Sequence, residues 1–245
     1  MNLILIAHDV IRNFDLDYLF FDLIFLACFI TALVIQKKKI PLLVGLICGF
    51  LFLIIDGVIW WNTGVREINP PELKFFVDFM MDFSYGVVAF SWVMIMFERN
   101  SIKEIILWTI FLYGGWFLVA FLSQIIPFID LEIITIRHMR SLRIVEILTV
   151  IFGYLLLIIL KYNYKTILFI FWVGTMLSFM MESYLLFTRI RPSGYELLLY
   201  DSLILTNQGV PYLFVIFDKI FPKIKKLFSR HTNTKEKPLE IIEFE

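Results

Sequence analysis

The stretch LFLIIDGVIWWNTGVREI, Leu51 to Ile68, decides how this chain is read. It is long and apolar enough to run through a bilayer, yet it carries an aspartate, Asp56, well inside. An ionised carboxylate in hydrocarbon is costly, so such a residue faces a cavity or a partner and marks function. The rest of the sequence shows that Asp56 is not alone.

Hydrophobic residues make up 60% of the 245 and charged ones 18%, with 27 Phe and 6 Trp. A soluble domain of this length has no core able to absorb so much apolar surface, so the composition points to an integral membrane protein. A formal net charge of zero argues against a nucleic-acid partner. Cys28 and Cys48 both fall in apolar runs and read as small core residues, with no disulfide framework or metal motif.

Seven candidate spans follow at about 18–36, 41–62, 73–97, 104–127, 143–160, 166–188 and 198–221, each near the ~20 residues a helix needs to cross a bilayer. The expected fold is therefore all-α, a polytopic membrane protein of seven transmembrane helices. Residues 1–17 form an interfacial segment, because LILIAH is too short for a signal-peptide core and no basic region precedes it. Residues 222–245 form a charged tail. Seven spans put the termini on opposite sides. Fourteen basic residues fall on the C-terminal side and eight on the other, which makes the C-terminus cytoplasmic by the positive-inside rule. Lysine dominates the cytoplasmic side and arginine the opposite one. Arginine's planar fork suits carboxylate or phosphate, whereas lysine suits generic attraction to anionic membrane lipid.

Spans 1–3 (about 18–97) align with spans 5–7 (about 143–221) around a linker helix at 104–127. Asp22 meets Glu146, and Asp56 meets Glu182 after spacings of 34 and 36 residues. DFMMDFSYGV (Asp78–Val87) meets DSLILTNQGV (Asp201–Val210). This is a 3+1+3 parallel pseudo-repeat, a plan that builds sites between its halves near the midplane. Descending spans carry their acids early and ascending spans carry theirs late. Asp22, Asp56, Asp78, Asp82, Glu146, Glu182 and Asp201 are thus expected in one half of the bilayer, with Arg143, Tyr184, Arg189, Asn207 and Gln208. Arg143 with Glu146, and Arg66 with Glu67 or Glu72, read as helix-orienting salt bridges. Asp22 and Asp78 lie near the interface and read as solvated. His138 reads as a loop histidine.

The sequence contains no nucleotide-binding glycine loop, HExxH helix or nucleophile elbow. Asp78 and Asp82 resemble the paired aspartates that hold magnesium diphosphate in soluble prenyl-transfer enzymes, but a second Asp-rich run is missing, so no metal ligands are assigned. What remains is acids among Trp60, Trp61, Phe76, Phe79, Tyr85, Tyr184 and Tyr200. Burial disfavours a carboxylate's anion, and aromatic faces stabilise cations.

GFLFLIIDGVIWW (Gly49–Trp61), FWVGTMLSFMMESYLLFTRIRP (Phe171–Pro192) and YDSLILTNQG (Tyr200–Gly209) resemble the second, sixth and last spans of the small seven-span terpene cyclases of the fungal meroterpenoid and indole-diterpene type. That family's second-span acid is a glutamate directly after a tryptophan, whereas here Asp56 precedes Trp60 and Trp61. PPELKFFVDF (Pro70–Phe79) is similar to the membrane lycopene cyclases, though with one glutamate after the prolines. Both resemblances imply an isoprenoid cyclase in which a protein acid protonates an alkene or epoxide, with no metal or organic cofactor. They imply Asp56 as donor, with Asp201 or Glu182 as partner acid or final base. Asp78, Asp82, Trp60, Tyr184, Arg189 and Asn207 then contact an apolar isoprenoid-like substrate, and arginines at the mouth (Arg66, Arg189, Arg191) hold its polar end. The alternatives are a small-solute carrier of the same helix plan, although few prolines lie within spans, and a non-catalytic lipid-binding protein. Neither the substrate nor the oligomeric state follows from the sequence.

Overall fold

The computed structural model describes residues 9–98, 100–139, 142–192 and 195–222. LILIAH, Arg99, Arg140 and the tail from residue 223 lie outside them.

The chain is mostly helical, and six helices are long and apolar enough to cross a membrane. They are α1 (Leu16–Ile35), α2 (Lys39–Ile54, continued by a π-helical turn at Ile55–Trp60), the run Pro71–Phe97, α5 (Ile102–Ile125), α6 (Leu142–Ile159) and α7 (Tyr164–Phe187). The third run is composite: α3 (Lys74–Asp78), a π turn at Phe79–Phe83, and α4 (Ser84–Phe97). The expected seventh span, 198–221, is not one long helix. It is α8 (Tyr195–Ile204), a 3-10 turn at Thr206–Gln208, α9 (Val210–Val215) and a π turn at Ile216–Ile220. Asn207, Gln208 and Gly209 favour local turns over helix, and Pro211 at the start of α9 lacks the N–H that would continue the ladder.

The all-α expectation also needs amending. Residues 10–15, expected within an interfacial segment, form strand β1, and a three-stranded antiparallel sheet closes one end of the bundle. Its order is β1 (Val10–Asp15), β3 (Glu132–Arg137), β2 (Arg66–Asn69). VIRNFD, REIN and EIITIR each alternate, and the alternation sets which side chains point into the protein. Val10, Arg12 and Phe14 are the buried set on β1, and Arg66 and Ile68 are the buried pair on β2. Arg137 shares its parity with buried Ile133 and Thr135. The inward face therefore mixes apolar residues with three arginines.

The bundle centres on α4, which is buried along nearly its whole length. It approaches α2 through small residues. A Cβ on Gly86 would stand 2.5 Å from the Gly49 Cα, and one on Gly45 would stand 2.2 Å from the Ser91 Oγ. Without those side chains the two backbones touch, which is how small residues pack apolar helices. Away from this centre, outward positions are large and apolar, such as Ile24 and Ile35 on α1, Phe50 on α2 and Phe152 on α6.

Candidate functional site

The inward arginines of the sheet meet the acids of the helices, and the meeting explains an otherwise costly register. Arg66 and Arg137 are directly opposite each other on adjacent strands. Like charges in that position repel. Here two aspartates lie beneath them. Asp56, on the π turn that ends α2, accepts from Arg137 and lies 3.4 Å from Arg66 Nη1. Asp82, on the π turn between α3 and α4, sits 2.9 Å from both Arg137 Nη2 and Arg66 Nη2. Asp78 takes Arg66 Nε at 2.8 Å and Lys74 Nζ at 2.9 Å. Three aspartates thus face two arginines and one lysine. Trp60 stacks beneath the Arg137 guanidinium, 5.4 Å from its ring centroid.

A second cluster repeats this chemistry on α6, α7 and α8. Arg191 Nη1 donates to Glu182 and, at 2.8 Å, to Asp201. Arg143 Nη1 donates to Glu146 at 3.0 Å and to Asp201 at 3.2 Å. All five side chains are buried. A buried charge survives only when it is paired. Each cluster supplies the pairing internally, although Arg66 Nη2, Asp82 Oδ2, Glu182 Oε1 and Arg191 Nε are buried without a hydrogen-bond partner.

Between these clusters lies a cavity of about 420 Å³. Its charged end is formed by Arg12, Asp22, Asp56, Asp82, Arg137 and Glu146. Its walls are Phe52, Tyr85, Phe90, Trp116 and Tyr184, with Met80, Met81 and Met181. The aromatic rings form a nearly continuous surface: Tyr85 stacks on Trp116 at 6.1 Å, and Trp116 meets Tyr184 at 5.8 Å. Tyr184 and Tyr18 share a buried hydroxyl contact of 2.8 Å at the cavity. Ile55 and Val145 line it too and are 38% and 55% exposed, so it reaches the outer apolar surface between α2 and α6.

The expected site residues fall in four places. Asp56, Asp82, Trp60 and Tyr184 line the cavity. Asp78, Glu182 and Asp201 lie behind its wall, in the ion-pair clusters. Asn207 is buried among helices: its amide donates to Thr175 Oγ1 at 3.1 Å and to the Leu203 carbonyl at 3.0 Å, and it accepts from Tyr154. That is a tie between α6, α7 and α8 more than a lining contact. Arg189 is exposed, with φ of 59°, and borders a separate recess with Asn13 and Glu132. The arginine that joins the acids is Arg191, two residues on. The left-handed turn at Arg189 precedes the bend that carries Arg191, which is buried.

Sequence reasoning missed three contributors. Arg12 and Arg137 sit in strands too short to stand out, and their shared parity with Val10, Phe14, Ile133 and Thr135 becomes a signal only once those strands are recognised. Asp22, expected to be solvated, is buried at the cavity wall, which it lines together with Ser84. No basic side chain among the described residues stands within ion-pair distance of it. The Asp78 and Asp82 oxygens are engaged by Arg66, Lys74 and Arg137, which is not the open pair a diphosphate-bound magnesium would use.

Comparison with known proteins adds nothing to this geometry: no protein-family model, no curated protein and no solved structure matches the chain.

Proposed function

We propose that this is an integral membrane enzyme that cyclises a mostly apolar, isoprenoid-like molecule by protonation, with Asp22 as the proton donor. The observation that carries the reading is an acid without a cationic partner on the wall of an aromatic cavity. Asp22, which no guanidinium reaches, is the donor in this reading, and Asp56 and Asp82, which face Arg66 and Arg137 across the same cavity, are placed to take a proton at the end. This reverses the roles that the resemblance implied for Asp56. The donor's proton adds to an alkene carbon, the resulting cation closes on a second double bond, and loss of a proton to a carboxylate ends the sequence. The ring-faced wall suits a migrating positive charge.

The chain is read as seven spans in a 3+1+3 plan, the last span broken beside the cavity. Two offsets support the repeat. Asp22 and Glu146 are 124 residues apart, and so are Lys37 and Lys161, each of which ends its helix in the left-handed conformation. Arg66 follows Asp56 by ten residues and Arg191 follows Glu182 by nine. β2 adds to the outer edge of β3, while Ile190 accepts from Asn13 N at 2.8 Å on the outer edge of β1. The opening toward the apolar surface suits a substrate dissolved in lipid. The C-terminal tail is assigned to the cytoplasm.

The test is incubation of membranes carrying the full chain with linear and epoxidised isoprenoids in excess chelator, followed by product analysis. Ring products should form with the natural chain and fall at least 100-fold with Asp22→Asn, an amide that keeps the shape without the acid proton. Unchanged product with Asp22→Asn rejects Asp22 as donor. One observation favours a carrier instead: helix breaks at Ile55–Trp60, Phe79–Phe83 and Thr206–Gln208 surround the cavity, as in transporters with discontinuous helices. Solute uptake into vesicles without any cyclised product would select that reading.

A further inference from the structure

Arg12 differs from every other buried arginine at the sheet end. Arg66, Arg137, Arg143 and Arg191 each hold at least two carboxylates. Arg12 is only 9% exposed, yet among the described residues it is in no ion pair and makes no side-chain hydrogen bond; its Nε, like that of Arg191, is buried without a partner. It projects from the inward face of β1 into the cavity. Burial, and then the guanidinium groups of Arg191 and Arg137, lower its pKa to about 10. A buried cation flanked by two others is an expensive arrangement unless something negative completes it.

We propose that Arg12 anchors the head of the cavity's ligand, binding a carboxylate or phosphate at the end of an otherwise apolar chain. The acids lining the same cavity are not its partners. Asp56 and Asp82 are held by Arg66 and Arg137, Glu146 is held by Arg143, and Asp22, on the same wall, forms no ion pair with Arg12. The charge of Glu182 acts on Arg12, but one of its oxygens is engaged by Arg191, the other is buried without a hydrogen-bond partner, and it forms no ion pair with Arg12. The planar guanidinium matches two anionic oxygens at once, which an alcohol or ketone head cannot use. From that anchor the chain would run along Tyr184, Trp116 and Tyr85. The inference rests on the cavity being the ligand site of the proposed function, and not on any reaction occurring there.

The experiment measures equilibrium binding to the full chain in phosphatidylcholine nanodiscs. The probes are farnesyl monophosphate and palmitate, with farnesol and hexadecanol as their neutral counterparts. At least one anion should bind tenfold or more tightly than its neutral counterpart, and the tighter of the two anions tells whether the tail is isoprenoid or fatty acyl. Arg12→Gln should cut that preference below about threefold. Arg12→Lys, which keeps the charge, should retain part of it. The proposal is overturned if the natural chain shows no anion preference, a result that needs no variant to fold, or if the preference survives in Arg12→Gln. Anion preference without any ring product would leave the anchor standing and remove the cyclase.

Discussion

Replacing Arg66 by methionine removes the hub of the first cluster while keeping a long apolar stem. Arg66 is 2% exposed, contacts Asp78 Oδ1 at 2.8 Å, Asp82 Oδ2 at 2.9 Å and Asp56 Oδ2 at 3.4 Å, and shares two of these acids with Arg137. After the change, three buried carboxylates are left to Arg137 and Lys74. Removing one partner of a buried ion pair costs about 3–5 kcal/mol, because the other charge stays uncompensated. At about 2–4 °C per kcal/mol for a chain of this size, the melting temperature in detergent should fall by about 6–20 °C. The double variant Arg66→Met with Asp78→Asn removes one of the stranded charges and should recover at least about 1 kcal/mol, since neighbours in one network couple by about 0.5–3 kcal/mol. Differential scanning fluorimetry of the purified protein measures both. A shift of less than about 2 °C for Arg66→Met, or a double variant no more stable than the single one, would refute the claim that these charges depend on each other.

Gly86→Ala should cost about 1–3 kcal/mol, because the new methyl meets the Gly49 backbone, which has no side chain to rotate away. Gly114→Ala, with nothing within 4 Å of its Cβ, is the control and should be neutral or slightly stabilising in the same melt. His138 joins the start of β1 to β2 through Glu67 and Asp9, and hydrogen bonds to these two carboxylates raise its pKa. Its folded pKa lies above the unfolded value of about 6.5, so its contribution is complete below that value and is lost as pH rises through the raised one. Protection of the sheet amides, taken relative to their intrinsic exchange rates, should therefore fall across that window, and His138→Gln should remove that fall. For orientation, a membrane-impermeant thiol reagent applied to intact cells should label Ser193→Cys and spare Ser229→Cys; the opposite pattern reverses the topology.

Much of the plan was legible because long apolar runs have few alternatives, and an acid inside one demands a partner. Six of the expected spans correspond to long apolar helices. The sheet was hidden because strands of four to six residues give little periodic signal beside runs of twenty, and because arginine on a strand reads as outward-facing. Only pairing with acids from distant helices makes Arg12, Arg66 and Arg137 an inward set, and single-strand patterns do not reveal that pairing. Asp56 is singled out by its depth and by the motif around it, and Asp22 is set aside by its depth; neither shows that two guanidinium groups reach Asp56 and none among the described residues reaches Asp22. Arg189 was preferred to Arg191 on position, but it is Arg191, past the left-handed turn at Arg189, that is buried with the acids.

Proton-initiated cyclisation leaves a label that no variant is needed to read. Membranes carrying the natural chain, incubated in D₂O with a productive linear isoprenoid that bears no epoxide, should give a ring product one mass unit heavier than the product made in H₂O, because the hydron added to carbon comes from an exchangeable protein acid and a substrate hydrogen is lost at the end. A ring product with no deuterium, or one that has lost an oxygen-bearing leaving group, would show that the cation arises by ionisation and would contradict the account.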